Sequence, residues 1–324
     1  MKYDIITIGG ATEDITFYTK EGILVDNKKD VLRQNLLAFE YGAKIKIDKA
    51  HSSFGGGATN VAVSFSNLGL ESSCLCAVGS DLRGKSILAN LKKYNIDIAL
   101  AQKIKNFETG FSFLLVGQNN EHIVFSNRAA NNELEIKDNK LKILKKAEWI
   151  YLTSLSGKWQ TVLKKVFSLE KTKIAWNPGY IQIKAGFNIL KPFLKKTKVL
   201  ILNKDEAIEL VLSKEKNANN NYLNNIKNLL KSLKDTGSEI VLITNGKYGA
   251  DAYDGLNFYH QDILKEKKRI DTTGVGDAFG SSFVAGLKLY KGDIKKSILL
   301  GAKNSASVIA EQGAQNGLIK ISKL

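Results

Sequence analysis

Asp271-Thr272-Thr273-Gly274-Val275-Gly276-Asp277-Ala278-Phe279-Gly280 lies between a strand-like region and an apolar run, 279–289, that reads as a buried helix. Gly274 and Gly276 carry no Cβ, so the backbone there turns tightly and its N–H groups come close to an anion. A helix starting near Val275 leaves those N–H groups as unpaired first-turn donors, and its dipole favours negative charge beside them. Asp277 then falls in the first turn. A carboxylate at that point is placed to take a proton from a hydroxyl that attacks a phosphoryl group. The same residues also read more plainly, as a turn followed by a first-turn helix acid.

Working outward from this stretch, the second half of the chain alternates strand and helix. Strands are predicted at 147–153, 173–176, 198–202 and 239–244, and helices at 159–169, 204–212 and 222–233. A small hairpin is expected at 249–260, an exposed polar loop at 214–221 and a long helix at 293–311. In the first half, 3–11 reads as a buried strand ending in Gly9-Gly10, and 74–78 as another. A helix is expected at 62–68, and Gly79 to Gly84 turns into a second one at 85–94. Alternating strands and helices imply an α/β fold with a doubly wound, mostly parallel sheet. Residues 15–50 add short β pieces, 15–19 and 38–47, around the polar stretch 26–34. Two alternating runs within 109–125 flank Gln118-Asn119-Asn120-Glu121 and read as a hairpin. No internal repeat of 20–50 residues is present.

The chain has 324 residues, 44% of them hydrophobic, enough for one large α/β domain. Its net charge is +16, yet the lysines are scattered along the whole length and form no basic stripe interleaved with aromatics. That pattern reads as a solvated lysine-rich surface and argues against nucleic acid as the partner. Cys74 and Cys76 sit two apart in an apolar run and fit a buried strand better than a disulfide or a metal site. The opening residues lead straight into a strand, and no apolar run approaches the ~18 residues of a membrane helix. A soluble cytoplasmic protein is expected.

The decapeptide resembles the C-terminal motif of the ribokinase-like (PfkB) carbohydrate kinase family, DTTGAGDAFxxG, with Val275 where Ala is usual. Other stretches match the family in order. Gly55-Gly56-Gly57-Ala58-Thr59-Asn60 resembles its N-terminal GGxxxN motif, and the 79–84 turn its GxDxxG element. Asn203-Lys204-Asp205-Glu206 resembles its NxxE, and Thr244-Asn245-Gly246-Lys247-Tyr248-Gly249 its TxGxxG. The resemblance runs from Gly9 to Gly313. It implies a single ribokinase-like domain over 1–324 with a small β lid formed by roughly 15–50 and 97–127, often the dimer contact.

The resemblance also implies roles. Asp277 would be the base, with Gly274, Val275 and Gly276 as the anion hole. Asp14, Gly56, Gly57, Asn60 and Arg128 would meet the acceptor. Asn203, Thr244, Gly246, Gly249 and Gly276 would serve ATP. Glu206 would orient water on Mg²⁺, although Asn203 with Glu206 is equally a helix capping pair. Asp271, Thr273 and Gly313 would hold a monovalent cation such as K⁺, and Asn304 would face the nucleotide. Thr12 and Gly57 depart from ribokinase proper, which has Asn and Lys there. The expected reaction is ATP-dependent phosphorylation of a small sugar, or of a nucleoside on the same fold. A non-catalytic sugar- or nucleotide-binding protein is the reading from another class.

Several rivals lack their residues. There is no protein-kinase lysine with an HRD stretch. Gly9-Gly10 lacks the spaced third glycine of a dinucleotide fold. The three histidines, His51, His122 and His260, are too dispersed for a zinc centre.

Overall fold

Ile5-Ile6-Thr7-Ile8 is buried at all four positions, as a strand covered on both faces must be. The computed structural model describes residues 3–27, 35–117, 122–266 and 268–321. Among these the N-terminal half runs β1 (Ile5–Ile8), β2 (Thr12–Tyr18), β3 (Ile23–Asp26), β4 (Asn35–Ala38), β5 (Lys49–Gly55) and α1 (Gly57–Asn67). It continues with β6 (Ser72–Leu75), β7 (Ala77–Gly79), α2 (Leu82–Lys93), β8 (Gln102–Ile104), β9 (Phe111–Val116) and β10 (His122–Asn127). Next come α3 (Asp138–Leu144), β11 (Trp149–Leu152), α4 (Trp159–Val166), β12 (Lys173–Trp176), α5 (Tyr180–Ala185) and α6 (Phe187–Leu194). The last third holds β13 (Val199–Asn203), α7 (Lys204–Lys214), α8 (Asn220–Asn224), α9 (Ile226–Lys234) and β14 (Ile240–Thr244). It closes with β15 (Ala250–Tyr253), β16 (Phe258–Gln261), α10 (Val275–Leu289) and α11 (Ile294–Val308).

The larger sheet has the order β16-β15-β14-β13-β12-β11-β1-β6. It is parallel from β6 to β14, and β15 and β16 add antiparallel at one edge. One face buries Ile6, Ile8, Leu152, Trp176 and Leu202 against residues of α4, α6, α7 and α9. The other buries Ile5, Tyr151, Ile201 and Leu242 against α1, α10 and α11. These are the helices on both faces that a doubly wound sheet requires. A second, four-stranded sheet has the order β10-β9-β2-β5. Its central strand β2 alternates buried and half-buried residues, the mark of a sheet with one covered face.

The chain passes between the two sheets at Gly9-Gly10-Ala11. Asn131 grips that crossing with two bonds: its Oδ1 accepts from Ala11 N and its Nδ2 donates to Ala11 O, both at 2.9 Å. The return crossing is as tight. β5 leads into Gly56, at φ 92°, where a Cβ would stand 2.5 Å from the carbonyl oxygen of Gly10.

Several predicted boundaries move. The stretch 38–47 is irregular and largely exposed beyond Ala38, and the strand lies at Lys49–Gly55, paired antiparallel to β2. The expected single strand 74–78 is two strands in different sheets, β6 beside β1 and β7 beside β8. Helix α1 starts at Gly57, five residues before the expected 62, which places Asn60 in its first turn. The helix expected at 222–233 breaks at Asn225, whose side chain accepts from Lys227 N at 3.0 Å and so starts α9. Helices α3, α5 and α6 carry no prediction. The hairpin of β9 and β10 pairs as expected, while its turn, 118–121, and residues 28–34 lie outside the described residues. Cys74 and Cys76 are buried free thiols. Among the described residues no helix is long and apolar enough to cross a membrane.

Candidate active site

Helix α10 begins where the sequence places it. Its N-cap, Gly274, is left-handed at φ 76°, and a Cβ there would collide with Ala314. The helical ladder opens with Ala278 N donating to Gly274 O at 2.9 Å. The N–H groups of Gly276 and Asp277 precede that bond and are first-turn orphans. Gly276 is exposed, with nothing within 4 Å of a would-be Cβ. Farther along, Gly280 lets α10 pass over the Tyr151 hydroxyl, which a Cβ would strike.

Asp277 is half-buried in that first turn, and its Oδ2 accepts from Asn60 Nδ2 at 2.9 Å. Burial pushes its carboxyl up to about 6, with the Asn60 bond opposing the rise and the charge of Asp14 adding to it. Asp14 stands on β2 in the small sheet, so the two carboxylates reach the site from different elements, a strand and a helix start. It is itself buried, and Thr12 Oγ1 donates to its Oδ1 at 3.0 Å. Burial raises its carboxyl, while Thr12, Ser112 and the charge of Arg128 lower it. Arg128 is exposed just beyond β10.

Gly55 is the glycine that the sequence reading passed over: a Cβ there would occupy the space of the Asp14 carboxylate. Gly57 would set a Cβ 2.8 Å from Thr153 Cβ, so glycine at this position lets α1 close onto the chain beyond β11. Asn60 is buried, and its Oδ1 accepts from Gln315 Nε2 at 2.9 Å. With its Nδ2 already donating to Asp277, only one amide hydrogen and one lone pair remain for any other partner.

On the far side of the α10 start lies a cleft of about 240 Å³. Thr244, Gly246, Gly249, Val275 and Gly276 line it, as do Ala302, Ser305 and Ala306 of α11 and the apolar Ile263 and Ile309. Among the predicted nucleotide residues Asn203 does not line this cleft, although it is paired in register with Thr244. Asn304 does not face the cleft either, which corrects the expectation for it. It is fully buried, its Nδ2 donating to Ser282 Oγ at 2.6 Å and its Oδ1 accepting from Ile319 N at 2.9 Å. An amide so satisfied between α10 and the C-terminal segment is a packing element.

Asn203 and Glu206 form the capping box: Glu206 N donates to Asn203 Oδ1 at 2.8 Å, and Asn203 N to Glu206 Oε2 at 2.9 Å. The cap leaves Oε1 of Glu206 uncommitted. Burial raises the Glu206 carboxyl, and the charges of Asp205, Asp277 and Glu209 push the same way. Such a group of hard oxygen donors in a negative field suits a hydrated divalent cation. No cluster of three or more His, Cys, Asp or Glu gathers to cage a metal among the described residues. Asp271, Thr273 and Gly313 do come together: Asp271 Oδ1 accepts from Thr273 N and its Oδ2 from Gly313 N, both at 2.9 Å.

Comparison with known proteins adds to this geometry. The ATP-dependent 6-phosphofructokinase of Thermoanaerobacterium thermosaccharolyticum is 26% identical over 325 residues, covering 97% of this chain and 90% of that protein. The ribokinase of Dictyostelium discoideum is 28% identical over 296 residues, 87% of this chain and 92% of its own. The crystal structure of a Methanocaldococcus jannaschii nucleoside kinase, a ribokinase-family member, shares the fold with a TM-score of 0.77 at 22% identity, covering 99% of this chain and 97% of that one. The model of the pfkB family carbohydrate kinases matches residues 25–321. With that match over most of its length, this chain belongs to the pfkB family of carbohydrate kinases, ATP-dependent enzymes that phosphorylate a hydroxyl group.

Proposed function

We propose that the chain moves the γ-phosphoryl group of MgATP to a hydroxyl of a small sugar, with Asp277 as general base. The observation that carries this is Asp277 itself: a carboxylate raised toward neutrality, beside orphan helix N–H groups and facing Asp14. A base with its pKa near the working pH accepts a proton well and stays ionised most of the time. Asp14, an acceptor-only group steadied by Thr12, would take hydrogen bonds from the acceptor's hydroxyls, with Arg128, Gly56 and Asn60 beside it. The N–H groups of Gly274, Val275, Gly276 and Asp277 would meet the charge that builds on the transferred phosphoryl.

The cleft beyond them would take the nucleotide, its apolar wall under the base and Thr244, Gly246 and Gly249 along the ribose and phosphates. Mg²⁺, when bound, neutralises phosphate charge. Glu206 would orient the ion's water through Oε1 while Oε2 holds the helix cap. Asp271, Thr273 and Gly313 would frame a K⁺ site. We read the four-stranded sheet as a lid over the acceptor within one domain, and its outer face as the contact of a homodimer. A lid that excludes water would limit wasteful hydrolysis of ATP. The reaction suits the cytoplasm, where MgATP is made.

The test is ADP release from MgATP across ribose, fructose, fructose 6-phosphate, 2-keto-3-deoxygluconate, adenosine, inosine and cytidine, with and without K⁺. Stimulation by a sugar supports the reading, and loss of stimulation without K⁺ supports the cation site. Stimulation by a nucleoside alone would replace the sugar. No stimulation together with no ATP binding would replace the kinase reading with a non-catalytic binding protein.

A further inference from the structure

Three side-chain amides from three separate elements meet behind Asp277. Asn60 of α1 donates from Nδ2 to Asp277 Oδ2 at 2.9 Å. Gln315, beyond α11, donates from Nε2 to Asn60 Oδ1 at 2.9 Å. Asn90 of α2 donates from Nδ2 to Gln315 Oε1 at 2.8 Å. Asn60 and Gln315 are buried, whereas Asn90 is half-exposed on the wall of a separate cavity of about 290 Å³ that Ser86 and Tyr94 also line.

The direction of this chain follows from its end. An ionised carboxylate only accepts, so Asn60 must turn its NH₂ toward Asp277. Its oxygen then faces Gln315, which must donate, and the Gln315 oxygen in turn needs the NH₂ of Asn90. The three amide dipoles therefore run head to tail with the positive end at the carboxylate, and hydrogen bonds in such a chain polarise one another.

We infer that Gln315 and Asn90 are positioning residues that act through Asn60, aiming an N–H at Asp277 and so holding its carboxylate in the ionised, proton-accepting form. This rests on the reading of Asp277 as the base. The other titratable groups electrostatically linked to Asp277 are Asp14 on β2, Glu206 on α7 and the buried, unpartnered hydroxyl of Tyr151 on β11. Both acids oppose ionisation, and Tyr151 is neutral. Favouring it are the first-turn N–H groups of α10 and this amide chain.

The test reads Asp277 directly and needs no acceptor. The full chain is labelled with ¹³C at aspartate carboxyls, and the Asp277 resonance is assigned by its absence from Asp277→Asn and followed against pH. Asn90→Asp reverses the chain: a carboxylate at 90 takes the Gln315 NH₂, Gln315 presents oxygen to Asn60, and Asn60 turns its oxygen to Asp277. The Asp277 midpoint should rise by about one unit or more, since a hydrogen bond to the charged form is exchanged for repulsion. Asn90→Leu, which unhooks the chain without reversing it, should move the midpoint the same way and less. Ser86→Asp brings the same charge to the same cavity wall, one helical turn away, and should leave the midpoint in place. A folded Asn90→Asp and Asn90→Leu with unmoved midpoints would overturn the inference, as would an equal shift in Ser86→Asp. The base reading fails separately, if Asp277→Asn keeps its turnover with the acceptor found above.

Discussion

At the scale of single residues the site is a balance around Asp277. Asp277→Asn keeps the shape and removes the proton acceptor. Turnover should fall ~10²-fold or more with the acceptor KM largely kept. Steady-state kinetics would check this, and near-normal turnover would refute the assignment. Because the carboxyl is raised to about 6, the rate at saturating MgATP should fall as the pH drops through about 6 rather than through 4. The same shift has a stability consequence. The folded pKa lies above the reference 3.8, so ionisation at neutral pH works against the fold, and that penalty is relieved as the pH falls from about 6 to 4. Asp277→Asn should therefore melt at higher temperature than the parent at pH 7, by up to about 3 kcal/mol in stability, and lose the advantage at pH 4. Asp277 was legible because the glycines and the helix start around it lie in ten consecutive residues. Its partner Asn60 stands 217 residues away, and no local pattern announces that bond. Asn304 was misread for the same reason, since only the packing of α10 against the C-terminal segment gives its amide partners.

At the scale of elements the start of α10 separates two uses of glycine. Gly274→Ala forces a side chain into the left-handed region and into Ala314, costing on the order of 1–2 kcal/mol from the backbone alone. It should lower both melting temperature and activity. Gly276→Ala meets open space, so its melting temperature should stay near the parent's while the added methyl crowds the anion and activity falls. A matched loss of stability in both variants would argue against an anion at Gly276. Elements were legible where periodicity and caps agree, as in β12, β14, α7 and α10. They were not where pairing decides. The segment 38–47 alternates apolar residues yet is irregular, whereas the more polar Lys49–Gly55 is a strand because β2 offers it an edge. The run 74–78 looks like one strand, and only its two different neighbours, β1 and β8, divide it.

At the scale of the whole molecule, alternation of strand and helix was enough to read the large sheet, whereas the second, small one was expected from the family resemblance and the short β pieces within 15–50. The crossing between them was not legible, since it depends on Asn131 reaching back to Ala11. Asn131→Ala would leave the backbone N–H and C=O of Ala11 without these partners in a buried place, costing roughly 2–4 kcal/mol. With Asp14 three residues beyond the crossing, the acceptor KM should rise more than the KM for MgATP. Equal changes in both would mean that the clamp serves stability alone.

The bond from Gln315 to Asn60 joins residues 255 positions apart. At the usual pace of a ribosome that separation is on the order of 10–50 s of synthesis. Asp14 and Asn60 exist from the start of that interval, Asp277 follows Asn60 only after 217 residues, and Gln315 comes last. If Asp277 is the base, as proposed, a nascent chain has no means of spending ATP until α10 has been made.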